Sequence, residues 1–294
     1  MNLSSGPFNV RKPCLPPGWY PREPEKIRGF LEGFASPGDA KTGPVIAAAA
    51  PHAGWYYSGA IAAKAVAALA AGSPGGPVTV ALIGGHLPGG APPLFAPEDA
   101  AATPLGTMEI DGELREALSG LRAVPDRYRD NTVEVLLPMA GYFFPGARLL
   151  WMRLPADLSA FDAGKALARA AASLGRKLFV LGSTDLSHYG PDYGFIPKGQ
   201  GLRALEWVKT VNDRRFIDAV RAGDPALVLE RAEGERAACS AGAVLGVMGY
   251  AAEIRPARGA GGECIAYGTS ADIGLEETGE LPGSFVGYGA FVWR

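Results

Sequence analysis

The chain of 294 residues has little of what marks nucleic-acid-binding and membrane proteins. Its 28 Lys and Arg residues are interspersed with 30 acidic residues, so there is no basic block of the kind that follows a phosphate backbone. The most apolar stretch, residues 59–72, is interrupted by Lys64 and is shorter than a membrane span needs. We therefore expect neither nucleic acid nor a membrane as a partner.

Cysteine is equally scarce. Cys14, Cys239 and Cys264 are an odd number, are widely spaced and include no Cys-x-x-Cys pair, which argues against a disulfide framework. Residues 1–17 contain no apolar run of the kind found in a secretory signal. Together these absences predict reduced thiols and a cytoplasmic location.

What is present is the composition of a globular protein, with 48% hydrophobic and 20% charged residues. Two continuous apolar runs, residues 45–50 and 78–83, are typical of strands buried on both faces, and the Ala-rich residues 58–71 between them predict a helix. The strand, helix, strand order returns at residues 149–154, 158–174 and 177–181. Helices are then predicted at residues 202–222, 225–232 and 238–252, and strands at 264–269 and 285–293.

This alternation predicts an α/β fold of three layers, in which a largely parallel or mixed central sheet is flanked by helices. Each strand, helix, strand unit is a candidate for a right-handed crossover. No stretch is long or polar enough for an interdomain linker, so we predict a single domain over residues 1–294, with a short N-terminal decoration over residues 1–43.

The chain has only three histidines, and each follows the carboxyl end of a predicted strand. His52 stands in Pro-His-Ala-Gly, His86 follows Gly-Gly, and His188 ends Asp-Leu-Ser-His. Ligands of parallel α/β sheets bind beyond these strand ends, and imidazole is both the commonest metal ligand and the side chain that titrates nearest neutral pH. Any one of them alone is more simply a surface or core residue, but the three together predict a pocket for metal binding or acid/base chemistry.

Asp185 precedes His188 by three residues, which favours a carboxylate that orients the imidazole; the alternative is that Asp185 or Ser183 caps a helix. Glu134 is a lone acid in an apolar run. It is either a pocket carboxylate or a charge near a helix N-terminus with Thr132 as the cap.

Cys239 opens a predicted apolar helix. A helix N-terminus lowers the pKa of a thiol and favours the thiolate that binds metal, whereas the simpler interpretation is a small buried apolar residue. Cys264 lies within a predicted strand and is interpreted as structural.

Several of these motifs resemble the Memo family, which also occurs as the B component of AmmeMemoRadiSam gene neighbourhoods. The matching pieces, in the order of the family, are Gly-Trp-Tyr-Pro at residues 18–21, Ala-Pro-His-Ala-Gly-Trp at 50–55, Gly-His at 85–86, Val-Glu-Val at 133–135, Ser-Thr-Asp-Leu-Ser-His-Tyr at 183–189, and Cys239. The sequence departs from the family where Asn131 replaces a more usual His.

The resemblance implies a fold similar to that of class III extradiol dioxygenases. It also implies a metal pocket whose ligands are His52, His86 and Cys239, and in which Asp185 and His188 are the catalytic pair. Glu134, Tyr189 and Trp55 are predicted to surround this pocket. Proteins of a radical-SAM system are the partners that the gene neighbourhood implies.

The function predicted from these residues is a metal-dependent oxidoreductase, similar to a dioxygenase, with iron at two histidines and a thiolate. Copper or zinc also suits imidazole and thiolate ligands, and zinc would favour hydrolysis instead. The competing prediction is a non-catalytic module on the same fold, which binds a peptide or a small molecule.

Overall fold

The architecture is that of a three-layer α/β protein. The structure, a computed structural model, describes residues 8–34, 43–73 and 77–294. Of the predicted N-terminal decoration, residues 1–7 and 35–42 lie outside the described residues, and the single-domain organisation stays a prediction. None of the described helices is long and apolar enough to cross a membrane.

Twelve strands are found in the described part of the chain: β1 Val10–Arg11, β2 Ala47–Ala50, β3 Thr79–Leu87, β4 Leu94–Phe95, β5 Ala100–Thr103, β6 Gly106–Glu109, β7 Val124–Pro125, β8 Arg148–Pro155, β9 Leu178–Ser183, β10 His188–Tyr189, β11 Glu263–Thr269 and β12 Phe285–Trp293. The α-helices of the same residues are α1 Pro24–Glu32, α2 Ala60–Ala71, α3 Gly112–Ala117, α4 Asn131–Glu134, α5 Leu137–Phe143, α6 Ser159–Ser173, α7 Leu202–Trp207, α8 Asp213–Ala222, α9 Pro225–Gly234, α10 Ala241–Ile254 and α11 Ser270–Thr278.

The main sheet is mixed, with a parallel centre. Its strands follow the order β10, β12, β2, β9, β3, β8, β4, β7, and β11 pairs with β12. The four central strands β2, β9, β3 and β8 are parallel, whereas β12 and β4 join them antiparallel. A smaller sheet is formed by β1, β5 and β6.

The two predicted crossover units are interleaved. As expected, α2 connects β2 to β3 and α6 connects β8 to β9. In the sheet, β9 lies between β2 and β3, and β3 lies between β9 and β8, so neither helix connects neighbouring strands. The predicted helix at residues 202–222 is also divided, because a π-helical turn at residues 208–212 separates α7 from α8.

Side chains of the central strands alternate between two hydrophobic cores, one on each face of the sheet. In β3, Ala81 and Ile83 pack with α6 and α10, whereas Val80 and Leu82 pack with α2 and α5. This period of two, in strands that are apolar on both faces, is what a sheet covered by helices on both sides requires.

Two glycine contacts fix the position of α10 against α6. A Cβ atom on Gly164 would lie 1.9 Å from the carbonyl oxygen of Gly246, and one on Gly249 would lie 1.9 Å from that of Phe161. The helix backbones are therefore as close as glycine allows. Since Cys239 stands just before α10, this packing also sets where its thiol lies.

The segment after β9 is held by a buried carboxylate of α8. Asp213 accepts hydrogen bonds from the backbone N–H of Ser187 (3.0 Å) and from the hydroxyl of Tyr267 (2.7 Å). Asn212 donates to the Ser187 hydroxyl (2.7 Å). Burial raises the pKa of Asp213 to about 6, despite these hydrogen bonds.

We expect Asp213→Asn to remove a pH-dependent part of the stability. The raised pKa of Asp213 means that the folded protein binds this proton more tightly than the unfolded chain, whose Asp pKa is about 3.9. Stability from this group is full below pH 4 and is lost as pH rises through about 6, by on the order of 3 kcal/mol.

The measurement is chemical denaturation of wild type and variant between pH 4 and 7, from which the difference in the free energy of unfolding is plotted against pH. Asp218→Asn, on the exposed face of the same helix, is the matched control and leaves that difference flat. A flat difference for Asp213→Asn as well would contradict the prediction.

Candidate metal centre

The three histidines follow strands that are neighbours in the sheet. His52 comes two residues after β2, His188 begins β10 after β9, and His86 lies near the end of β3. The order β2, β9, β3 places these strand ends side by side. The interleaving of the two units is thus what brings the histidines together, at the edge where ligands of parallel sheets bind.

His52 is buried, and both ring nitrogens and both backbone polar groups have partners. Its Nδ1 lies 2.6 Å from the hydroxyl of Ser183, and its Nε2 lies 3.2 Å from the sulfur of Cys239. The backbone N–H of His52 donates to Asp185 (2.7 Å), and Asn131 donates to the His52 carbonyl (2.9 Å). When Nδ1–H donates to Ser183, the lone pair of Nε2 is available to bind a metal ion beside the sulfur.

Cys239 is fixed by its backbone and by its thiol. Its N–H donates to the carbonyl of Asp185 (3.1 Å), and the N–H of Asp185 donates back to the sulfur (3.3 Å). Burial acts to raise the pKa of this thiol, but the neighbouring His52 outweighs burial and holds the pKa well below its usual value. The lowered pKa favours the thiolate, the form that binds metal.

His86 adopts a left-handed backbone conformation, with φ of 57°. The preceding Gly85 allows this turn to approach the start of α10, because a Cβ atom there would lie 2.4 Å from that of Ser240. The His86 and His52 rings meet edge to face at 4.9 Å. Strain at a non-glycine residue is typical of functional sites.

Asp130 holds the other side of the His86 ring. Its Oδ2 accepts from His86 Nδ1 (3.0 Å) and from Arg153 (3.1 Å), while its Oδ1 caps α4 by accepting from the Thr132 N–H. Burial acts to lower the pKa of His86, but the hydrogen bond to Asp130 and the neighbouring Cys239 together outweigh burial and raise that pKa to about 10. Since Nδ1 is held by Asp130, Nε2 is the atom of His86 that can bind a metal ion.

His52, His86 and Cys239 form a candidate metal cluster. Each offers one ligand atom, and these atoms lie within 4.8 Å of one another. Bonds of ~2.1 Å to nitrogen and ~2.3 Å to sulfur keep two donors of one ion within about 4.4 Å. The three donors are therefore close enough together for small movements of the side chains to bring them around a single ion.

Asp185 and His188 lie beside this cluster. Oδ2 of Asp185 is 3.8 Å from Nε2 of His188 and 3.8 Å from Nε2 of His52. The His188 ring stacks on Tyr193 at 4.9 Å. Asp185 caps no helix; it is buried, and although burial acts to raise its pKa, the neighbouring imidazoles hold that pKa below its usual value.

A cavity of about 680 Å³ opens onto the site. Its lining includes His52, His86, Asp185 and His188, together with Asn131, Ala53 and Gly54; the other lining residues are Pro17, Gly18, Trp19, Tyr56, Tyr57, Tyr193, Ser270, Ile273, Gly274, Glu277, Pro282, Ser284, Val286 and Tyr288. Cys239 lies behind this surface, where it lines a neighbouring cavity of about 250 Å³ with His188.

The other predicted pocket residues are placed differently. Trp55, Tyr189 and Glu134 are buried, and none of them is among the lining residues of the large cavity. Trp55 donates to the carbonyl of Val135 (2.9 Å), and Tyr189 stacks on Phe285 at 5.2 Å. The positions of these residues in the sequence motifs gave no information about the direction of their side chains.

Glu134 instead holds the N-terminal segment. Its two oxygens accept from the backbone N–H groups of Cys14 (2.8 Å) and Leu15 (3.0 Å) and from the hydroxyl of Tyr20 (2.9 Å). Pro17, Gly18 and Trp19, which lie between these partners, line the cavity. The carboxylate therefore supports the cavity from behind, and the cap of its helix is Asp130 rather than Thr132.

Comparison with known proteins agrees with this geometry. Residues 11–292 match the family described as Memo-like protein. The chain belongs to the Memo family.

Its relatives include MEMO1 family proteins of three archaea. The protein of Archaeoglobus fulgidus is 28% identical over 97% of this chain and 100% of its own length. The protein of Methanopyrus kandleri is 30% identical over 97% of this chain and 99% of its own length. The protein of Methanothermobacter thermautotrophicus is 32% identical over 73% of this chain and 78% of its own length. Memo proteins have an extradiol dioxygenase-like fold, in agreement with the mixed sheet flanked by helices that is described above.

Sequence reasoning missed Asp130 and Arg153 as supports of this Memo site. Asp130 precedes Asn-Thr-Val-Glu, and an acid before a short helix is a signal for a cap, which the sequence analysis assigned to Thr132 instead. Only the fold brings the second oxygen of Asp130 to His86. Arg153 lies in β8 and is only 3% exposed. In the sequence it is a single cation in an apolar run, which does not show what its side chain contacts.

We expect Asp130→Asn to weaken metal binding by roughly 10–100-fold, the usual effect of removing an outer partner of a ligating histidine. The Asn oxygen replaces Oδ1 and keeps the helix cap, while its NH₂ group replaces Oδ2 and cannot accept from His86. Competition with a chelating indicator measures the affinity for Zn²⁺.

The matched control is Asp224→Asn, the same change at the cap of α9, which accepts from Ala226 and Leu227. It leaves Zn²⁺ affinity unchanged. Equal affinities of wild type and Asp130→Asn would show that the His86 contact does not support a ligand.

Proposed function

We propose that this Memo protein binds one divalent metal ion, iron, through His52, His86 and Cys239, and acts as a metal-dependent oxidoreductase on a small molecule. The observation that carries the proposal is the meeting of two imidazoles and one cysteine sulfur within 4.8 Å beside a cavity of about 680 Å³. Two histidines and one carboxylate are typical of non-haem iron(II) sites, and here Cys239 stands in the place of the carboxylate.

The three donors approach from the protein side, on the ends of β2 and β3 and the start of α10. His52 and His86 line the cavity, where a small molecule would have room to reach a bound ion. When bound, the ion supplies Lewis-acid and redox chemistry at this surface.

The chain itself supplies a proton carrier. His188 lines the cavity, and its Nε2 is 3.8 Å from the Asp185 carboxylate, which orients the ring. Tyr193 holds the ring by stacking on it. His188 therefore accepts a proton from the bound molecule and returns it, while Asp185 stays ionised between two imidazoles.

The expected location of the protein in the cell and its expected partners also belong to this proposal. All three cysteines are free, which suits the reducing cytoplasm in which we expect the protein to act. Proteins of a radical-SAM system remain the partners that we propose from family resemblance.

The first test compares metal content after purification without added metal. We expect His52→Ala, His86→Ala and Cys239→Ala each to lose most of the metal, because two donors bind an ion far more weakly than three. His188→Ala, in the same cavity, retains it and serves as the control. Elemental analysis identifies the ion; unchanged content in all three ligand variants would reject the metal centre, and zinc or copper would reject iron.

A second test separates redox chemistry from hydrolysis. The protein is loaded anaerobically with Fe²⁺, and O₂ uptake is followed with a panel of catechols, beside ester hydrolysis by the zinc form. We expect uptake only with iron, and a decrease of at least about 100-fold in His188→Gln at equal iron content, since a general acid/base contributes about that much. Hydrolysis by the zinc form without O₂ uptake would contradict an oxidoreductase, as would equal rates in His188→Gln.

A further inference from the structure

Apart from its histidines, the large cavity has charged side chains of one sign only among the lining residues that the structure describes. Asp185 lies beside the metal ligands and Glu277 lies on α11, and both line the cavity. Among the lining residues that the structure describes there is no Lys or Arg. An anionic ligand such as a carboxylate or phosphate would find no cationic side chain here, apart from the histidines of the metal site.

The lining also contains one tryptophan and four tyrosines. Tyr56 and Tyr57 meet edge to face at 4.8 Å, and Tyr193 stacks on His188. Trp19 and Tyr288 complete the set of aromatic side chains in the lining. The faces of such rings are electron-rich and attract cations, and aromatic cages bind organic ammonium groups in this way.

Glu277 is placed next to these rings. Its carboxylate accepts a hydrogen bond from the hydroxyl of Tyr56, and both side chains are exposed, Tyr56 at 57%. A carboxylate that is in water and already oriented by a tyrosine is well placed to accept a second donor from a ligand.

Helix α11 presents one face to the cavity through Ser270, Ile273, Gly274 and Glu277, the spacing of one helical stripe. Asp272, between them in sequence, belongs to the other side: it forms the capping box with Thr269 and an ion pair with Lys209. The ammonium group of Lys209 is thus paired with Asp272 on the other side of the helix. The carboxylate of Glu277 lines the cavity.

Glu277 adds a negative charge to the cavity lining, which raises the local concentration of cations.

We propose that this cavity binds a small organic cation, a primary amine on an aromatic body. Its ammonium group contacts Glu277 and the tyrosine rings, and its other end lies toward His188 and the metal ligands. The assignment of this molecule as a substrate rests on the proposed function, whereas its recognition depends only on Glu277 and the aromatic side chains.

The test uses three phenols of similar size and shape that differ in charge at one end. Tyramine carries an ammonium group, 4-propylphenol replaces it by a methyl group, and 3-(4-hydroxyphenyl)propionate replaces it by a carboxylate. Isothermal titration measures their affinities for the metal-loaded and the metal-free protein. We expect tyramine to bind about tenfold more tightly than 4-propylphenol, and the carboxylate most weakly.

Glu277→Gln is expected to remove the preference for tyramine and to leave the affinity for 4-propylphenol unchanged. The matched control is Glu276→Gln, the same change at the adjacent, exposed position of α11, which does not line the cavity and keeps the preference. A preference that is undiminished in Glu277→Gln overturns the proposal, as does tighter binding of the carboxylate or no binding of tyramine at millimolar concentration.

The two proposals fail separately. If the ligand variants retain their metal content but the tyramine preference depends on Glu277, the metal centre is rejected and the cation site stands. If metal content depends on the three ligands and tyramine shows no preference, only the cation site is rejected.

Discussion

The arrangement of the site depends on one buried charge, the carboxylate of Asp185. One of its oxygens accepts the backbone N–H of His52, and the other lies equally close to the imidazoles of His52 and His188. The backbone of the same residue exchanges hydrogen bonds with the N–H and sulfur of Cys239. Since an uncompensated charge cannot remain in a protein interior, the cationic and polar groups of three separate segments are held around this residue.

Other carboxylates hold the surroundings of the site in the same way, each from a different direction. Asp130 orients His86 and connects it to Arg153, Glu134 fixes the N-terminal segment that lines the cavity, and Asp213 holds the backbone of Ser187 next to His188. None of the three belongs to the candidate metal cluster. They fix the positions of groups that a metal ion and a ligand would need in place before binding, which reduces the ordering required on binding.

Charge and shape then divide the cavity into two regions. Around His52 and His86 the groups suit a metal ion, whereas around Glu277 the carboxylate and the tyrosine rings suit an organic cation. A molecule that spans both regions would present one end to the ion and to His188. In the two proposals, a single cavity contains both the site of chemistry and the site of recognition.

The sequence by itself determined the elements and the candidate ligands. Continuous apolar runs predicted the central strands within a few residues, because burial on both faces leaves no alternation, and three histidines after strands predicted a shared pocket. The assignment of Cys239 came from family resemblance.

Only the tertiary structure decided that β9 lies between β2 and β3, that Asp130 and Arg153 support His86, and that Glu134, Trp55 and Tyr189 do not line the cavity. Strand order and side-chain direction depend on contacts between segments far apart in the chain, and local patterns of residue type carry no information about them.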